Sequence, residues 1–130
     1  MIYTIGDVYG FTLCDSLVKL SEIERSTSAK NWNGNDVGPI SKQVIDNTRD
    51  ILLRLINQPF IAPTSKGYIQ LKYNNDDGAY LEFEVFDDKV KMFFYHGVAY
   101  IRELKNLNNL NWMVINFLYG NYSPVINEEK

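Results

Sequence analysis

Histidine and cysteine occur once each in this chain, as His96 and Cys14. A single cysteine excludes an intramolecular disulfide and leads us to expect a reducing compartment. One histidine and one cysteine cannot supply a zinc ligand set, so no metal or other cofactor is expected. Cys14 falls in the first turn of an expected helix, where a thiol can be acidified, but no second histidine is present to activate it beside an orienting group. Long apolar runs are missing too: none approaches the ~18 residues of a membrane span. Residues 1–11 lack a basic start and a long apolar stretch, so no signal peptide is expected and the cytoplasm is the expected location. Positive charge is also scarce. Thirteen Lys and Arg against sixteen Asp and Glu give a net charge of −3, without the basic face that duplex binding needs. Gly34, Gly38 and Gly67 do not precede a helix in the pattern of a phosphate-binding loop.

What is present describes one domain over residues 1–130. At this length a single core can remove roughly two thirds of the unfolded chain's surface from water. Hydrophobic residues make up 45% and charged residues 22%, a globular composition.

Ile2–Ile5 reads as a short strand ended by Gly6. Thr12 followed by Asp15 is a capping-box signature, and Leu13, Leu17, Leu20 and Ile23 recur at helical spacing, predicting a helix from Thr12 to Arg25. A loop rich in Asn, Gly and Ser follows. Ser41 is a good N-cap for a second helix whose apolar face runs Val44, Ile45, Thr48, Ile51, Leu52, Leu55 and Ile56. Asp46 and Asp50 are spaced to pair with Arg49 and Arg54, and Asn57 and Pro59 end the helix.

The period then changes from 3.6 to 2. Ile69, Leu71 and Tyr73, then Leu81, Phe83 and Val85, then Val90, Met92 and Phe94 alternate with polar or aromatic neighbours. Turns fall at Asn75-Asp76-Asp77-Gly78, Asp87-Asp88 and His96-Gly97, and VAYIREL makes a fourth strand. Leu107, Leu110, Val114, Phe117 and Leu118 share one face of a C-terminal helix stopped by Gly120. The expected fold is α+β: an antiparallel four-stranded meander packed on one or two helices, with a further C-terminal helix.

Candidates for chemistry are few. Glu82 and Glu84 lie two apart on one strand face, and His96 sits in a turn. A hydrolase or nuclease would have to be built from these three. Lys72 and Lys91 stand opposite the two glutamates, so cross-strand charge pairing accounts for the pattern without catalysis. Asp76-Asp77-Gly78 and Asp87-Asp88 lack calcium-loop spacing and read as turns.

Aromatics are plentiful at 14%, with nine tyrosines. Tyr68, Tyr80, Phe86, Phe93 and Tyr95 all project from the face opposite the core. Such a stripe among mixed charges suits a protein partner. Single-stranded nucleic acid would also want a basic groove, so that reading is weaker. The alternative is that the C-terminal helix or the N-terminal segment covers this face as a second core. Trp32, in NWNGNDVGPIS, is either a partner contact or a peg that fixes the loop before the second helix.

Trp32-Asn33-Gly34, Pro39-Ile40-Ser41, Ala62-Pro63-Thr64, Gly67-Tyr68-Ile69-Gln70-Leu71 and Leu81-Glu82-Phe83-Glu84-Val85 resemble a family of small uncharacterised proteins of bacteria and their mobile elements. In that family a W-[DN]-G…P-I-S loop precedes a helix, and a P-T-x-x-G-x-I-x-L strand opens a meander. The likeness covers about residues 30–95. It carries no activity that can be transferred to this chain. It does imply an interaction protein of the kind phages and plasmids carry, such as a toxin neutraliser or an inhibitor of host defence. The resulting expectation is a non-catalytic protein-binding protein, monomeric or homodimeric.

Overall fold

The structure, a computed structural model, describes residues 12–29, 32, 34 and 38–127. The strand expected at Ile2–Ile5 lies outside the described residues, as does nearly all of the C-terminal tail.

Helix α1 spans Leu13–Ser26 and opens with the predicted box: the Asp15 amide donates to Thr12 Oγ1 (3.1 Å) and the Thr12 amide to Asp15 Oδ2 (2.9 Å). Its buried face is Ser16, Leu20 and Ile23, continuing to Thr27. Leu13 is 38% exposed, so the expected face is rotated. The reason is position: among the described elements α1 packs chiefly on its neighbouring helix and on the first strand, and its opening turn is exposed.

Helix α2 spans Lys42–Arg54, and Ser41 Oγ accepts from the Val44 amide (3.1 Å). Val44, Ile45, Thr48, Ile51 and Leu52 are buried, and the Thr48 hydroxyl is satisfied by the Val44 carbonyl (2.8 Å). Asp46 draws in both Lys42 (3.2 Å) and Arg49 (3.0 Å); the Asp50–Arg54 pairing expected from spacing is not formed. The helix ends where Gln58 Nε2 turns back to the carbonyls of Leu52 (3.1 Å) and Leu55 (2.7 Å), satisfying groups that the broken helix leaves orphaned.

Five strands follow: β1 Phe60–Pro63, β2 Ile69–Asn74, β3 Tyr80–Val85, β4 Val90–Tyr95 and β5 Ala99–Glu103. Their spatial order is their sequence order, each antiparallel to the next. The expected four-stranded meander therefore has a fifth member, β1. Pro59 and Pro63 bracket it and read as loop punctuation in the sequence. An edge strand tolerates proline, because half of its amides face away from the sheet.

Ile69, Leu71, Tyr73, Leu81, Phe83, Val85, Val90, Met92 and Phe94 are buried on the inner face, as alternation predicted. The helices lie on this side. Helix α2 packs on β2 and β3. Helix α3, Leu110–Leu118, sets Phe117 edge-on to Phe94 (6.1 Å, 87°). Its Asn111 accepts from the Ile56 amide (2.8 Å) and donates to the Arg54 carbonyl, closing the end of α2. A short helix α4, Ser123–Ile126, was not expected; its Val125 is fully buried. Among the described residues no helix is long and apolar enough to cross a membrane.

Candidate functional site

The outer face of the sheet carries the aromatic stripe, and the strand register places Tyr80, Phe93 and Tyr95 on it. One row crosses the sheet as Phe60, Lys72, Glu82, Phe93 and Ile101. A second runs Ala62, Gln70, Glu84, Lys91 and Glu103. A third runs Asn74, Tyr80, Tyr95 and Ala99. None of these residues is buried, and no described helix covers them.

Two aromatic clusters stand at opposite ends of the strands. Tyr80 and Tyr95 stack with centroids 5.4 Å apart and planes 17° apart, and Lys72 Nζ lies 4.8 Å from the Tyr80 centroid. At the other end Tyr68 meets Phe86 at 4.3 Å. Lys89 and Lys91 approach the Phe86 ring at 5.2 and 5.5 Å. Tyr68 also leans on the core. Phe93 lies between the clusters.

The expected facing of lysines and glutamates is present in the register: Lys72 opposes Glu82, and Lys91 opposes Glu84. Among the described residues, however, neither lysine closes an ion pair. The ammonium groups lie on rings instead, where a quadrupole attracts them at little desolvation cost. Glu82 takes the Gln70 amide (2.8 Å) in place of a cation. Burial pushes its carboxyl above the ordinary range; Lys72 opposes that shift and Glu84 adds to it. Lys72, Lys89 and Lys91 match Glu82, Glu84 and Glu103, so this face has no net sign.

His96 does not join the glutamates. It lies at the β4–β5 turn, with Nε2 3.5 Å from Asp77 Oδ2 and its ring 4.7 Å from Tyr122. Tyr122 packs on Phe94 (5.2 Å) and Phe117 (5.5 Å), inner-face residues, whereas Glu82 and Glu84 are on the outer face. The three residues considered for a hydrolase are thus on opposite sides of the sheet. The Tyr122 hydroxyl bond holds the Asp77 carboxyl below its usual value, and burial holds the Tyr122 hydroxyl above its own. Cys14 is exposed on α1.

Trp32 packs against the core, and its indole N–H donates to the Gly38 carbonyl (2.9 Å). That bond spans the loop ahead of Pro39 and Ser41, the geometry of a peg.

Sequence reasoning missed Ile101 as part of the face. Its signal was the same alternation, carried into AYIRE. Ile101 is 65% exposed beside Phe93.

Comparison with models of protein families, with curated proteins and with solved structures finds no match to this chain.

Proposed function

We propose that this chain is a non-catalytic protein-binding protein whose recognition surface is the outer face of the sheet. The observation that carries the reading is the arrangement of that face. Half-buried aromatic rings are held by cross-strand stacking and by lysines, with Phe93 between the clusters and Ile101 exposed at one edge. Rings already ordered in the free protein lose little entropy on docking, and their balanced charge suits a polar, mixed protein rim rather than a phosphate backbone. The resemblance to small proteins of phages and plasmids supports a blocking role, as an inhibitor of host defence or a toxin neutraliser.

The test is recovery of a stoichiometric partner from host lysate by the tagged chain, repeated with Tyr80→Ala and Phe93→Ala. The proposal expects partner loss with a nearly unchanged thermal midpoint. A large fall in the midpoint instead would make the face part of the folding core.

One observation favours a second reading, a hydrolase: burial pushes Glu82 upward beside Glu84, as in paired carboxylates that share acid and base roles. Undiminished turnover by a Glu84→Gln variant, in any activity found, would remove that reading.

A further inference from the structure

The two edges of the sheet are built differently. On β1 the Thr64 amide donates to the Tyr68 carbonyl (2.8 Å), a pair in the same register as Ala62 with Gln70 and Phe60 with Lys72. Hydrogen-bonded pairs alternate in an antiparallel ladder, so Ala62 and Phe60 turn their backbone polar groups toward β2. Positions 59, 61 and 63 turn theirs outward. Two of those three are proline, so Ile61 holds the single outward amide. Proline at such positions is a common guard against strand addition.

On β5 the same logic gives the opposite result. His96 donates to Val98 (3.2 Å) and Leu104 to Val90 (2.9 Å), so Tyr100 and Arg102 bond to β4. Ala99, Ile101 and Glu103 turn their amides and carbonyls outward. None is proline, all three are exposed, and β5 ends the strand order among the described residues.

We propose that a second copy of this chain pairs with β5, antiparallel and centred on Ile101, joining two five-stranded sheets into one. The side chains select this occupant and this register. Centring on Ile101 is the symmetric alignment that overlaps all five strand residues. On the outer side Ile101 meets Ile101 of the other copy, and Ala99 meets Glu103. On the inner side Tyr100 meets Arg102, and the 60%-exposed Val98 meets Leu104. An inward-facing charge such as Arg102 normally deters edge pairing. Here it lands opposite an aromatic ring that can hold it. Centring on Arg102 would set arginine against arginine, and centring on Tyr100 would push Glu103 out against Gly97. The two-fold axis lies perpendicular to the sheet, so both outer faces stay on one side. The proposal does not depend on what else that face binds.

A five-residue edge is a small interface, so the pairing is expected to be reversible and to depend on concentration. Sedimentation velocity across the micromolar to near-millimolar range should show the mass rising from 15.1 kDa toward twice that value. Ile101→Pro removes an outward amide while sparing every bond to β4, so the variant should remain monomeric with a near-wild-type melting midpoint. Ile101→Lys sets two lysines together and should do the same, which covers the case in which the proline variant fails to fold. In a Cys14→Ser background, mild oxidation should cross-link Ile101→Cys to itself. Ala99→Cys should not cross-link alone, but should cross-link when mixed with Glu103→Cys. A monomer at every concentration, a dimer that survives both Ile101 variants, or self-cross-linking of Ala99→Cys as efficient as that of Ile101→Cys would each overturn the proposal.

Discussion

The Tyr122 hydroxyl donates to Asp77 Oδ2 over 2.7 Å and accepts from Asn75 Nδ2 over 3.0 Å. Asn75 also donates to the Phe117 carbonyl (2.6 Å), so the β2–β3 turn is tied to α3 and to the approach to α4. The turn itself depends on Gly78, whose φ of 88° few side chains adopt.

Tyr122→Phe should destabilise the chain, and the deficit should depend on pH. Asp77 is depressed in the folded state, so its contribution is present above the ordinary aspartate value and is lost as pH falls through the lower folded value. Tyr122 is raised, so its contribution is present below the ordinary tyrosine value and is lost as pH rises through the folded value. The gap between wild type and variant should therefore be widest at neutral pH and narrow toward both extremes. Urea unfolding across pH measures it, and carboxyl NMR should show the Asp77 midpoint rising in the variant. A gap constant with pH would assign the effect to packing alone.

Tyr73→Phe should cost about 1–3 kcal/mol. Tyr73 is 1% exposed and its hydroxyl donates to the Asn57 carbonyl at 2.5 Å, so the variant leaves a buried acceptor without this donor. Chemical denaturation of the two proteins gives the difference directly.

Glu82→Gln should be at least as stable as wild type at neutral pH. The folded-state value of Glu82 is raised by burial, so wild-type stability from this group is full below the ordinary glutamate range and is lost as pH rises through the raised value. The variant should flatten that decline while Gln70 keeps an oxygen to bond. The carboxyl remains partly in water, and screening limits the gain to about 0.3 kcal/mol. Paired melts at mildly acidic and neutral pH test the sign.

Trp32→Phe keeps an aromatic ring in the loop but removes the donor to Gly38. A loss of about 1 kcal/mol is expected. Trp112 is 56% exposed and supplies a separate solvent-facing fluorescence signal. The emission lost in the variant should therefore be the blue-shifted part, and a red-shifted loss would mean that Trp32 stands free of the core.

Where spacing carries the information, the sequence was legible. Helix α2 and strands β2 to β4 follow from period alone, because their buried residues repeat at 3.6 and 2. Strand β1 was hidden, because Pro59 and Pro63 signal a break unless the strand is known to be at an edge. The rotation of α1 was hidden because Leu13 has the right spacing yet stays 38% exposed, which spacing alone does not show. The outer-face positions of Tyr80, Phe93 and Tyr95 were readable, yet the choice of rings over carboxylates by Lys72 and Lys91 was not; it depends on side-chain geometry that register does not fix. The Tyr122–Asp77 bond joins residues 45 apart and leaves no local trace.

Every helix described here covers one side of a sheet whose strands form in sequence order. That order has a consequence during synthesis. Helices α1 and α2 leave the ribosome before the strands, and until the β2–β3 hairpin follows, the apolar face of α2 has α1 as its partner among the described elements. The nascent chain therefore passes through an interval with Ile45, Ile51 and Leu52 in water, when a holding chaperone has most to grip. Once the hairpin closes, each later strand adds to an existing edge across a short turn, and the interval ends quickly.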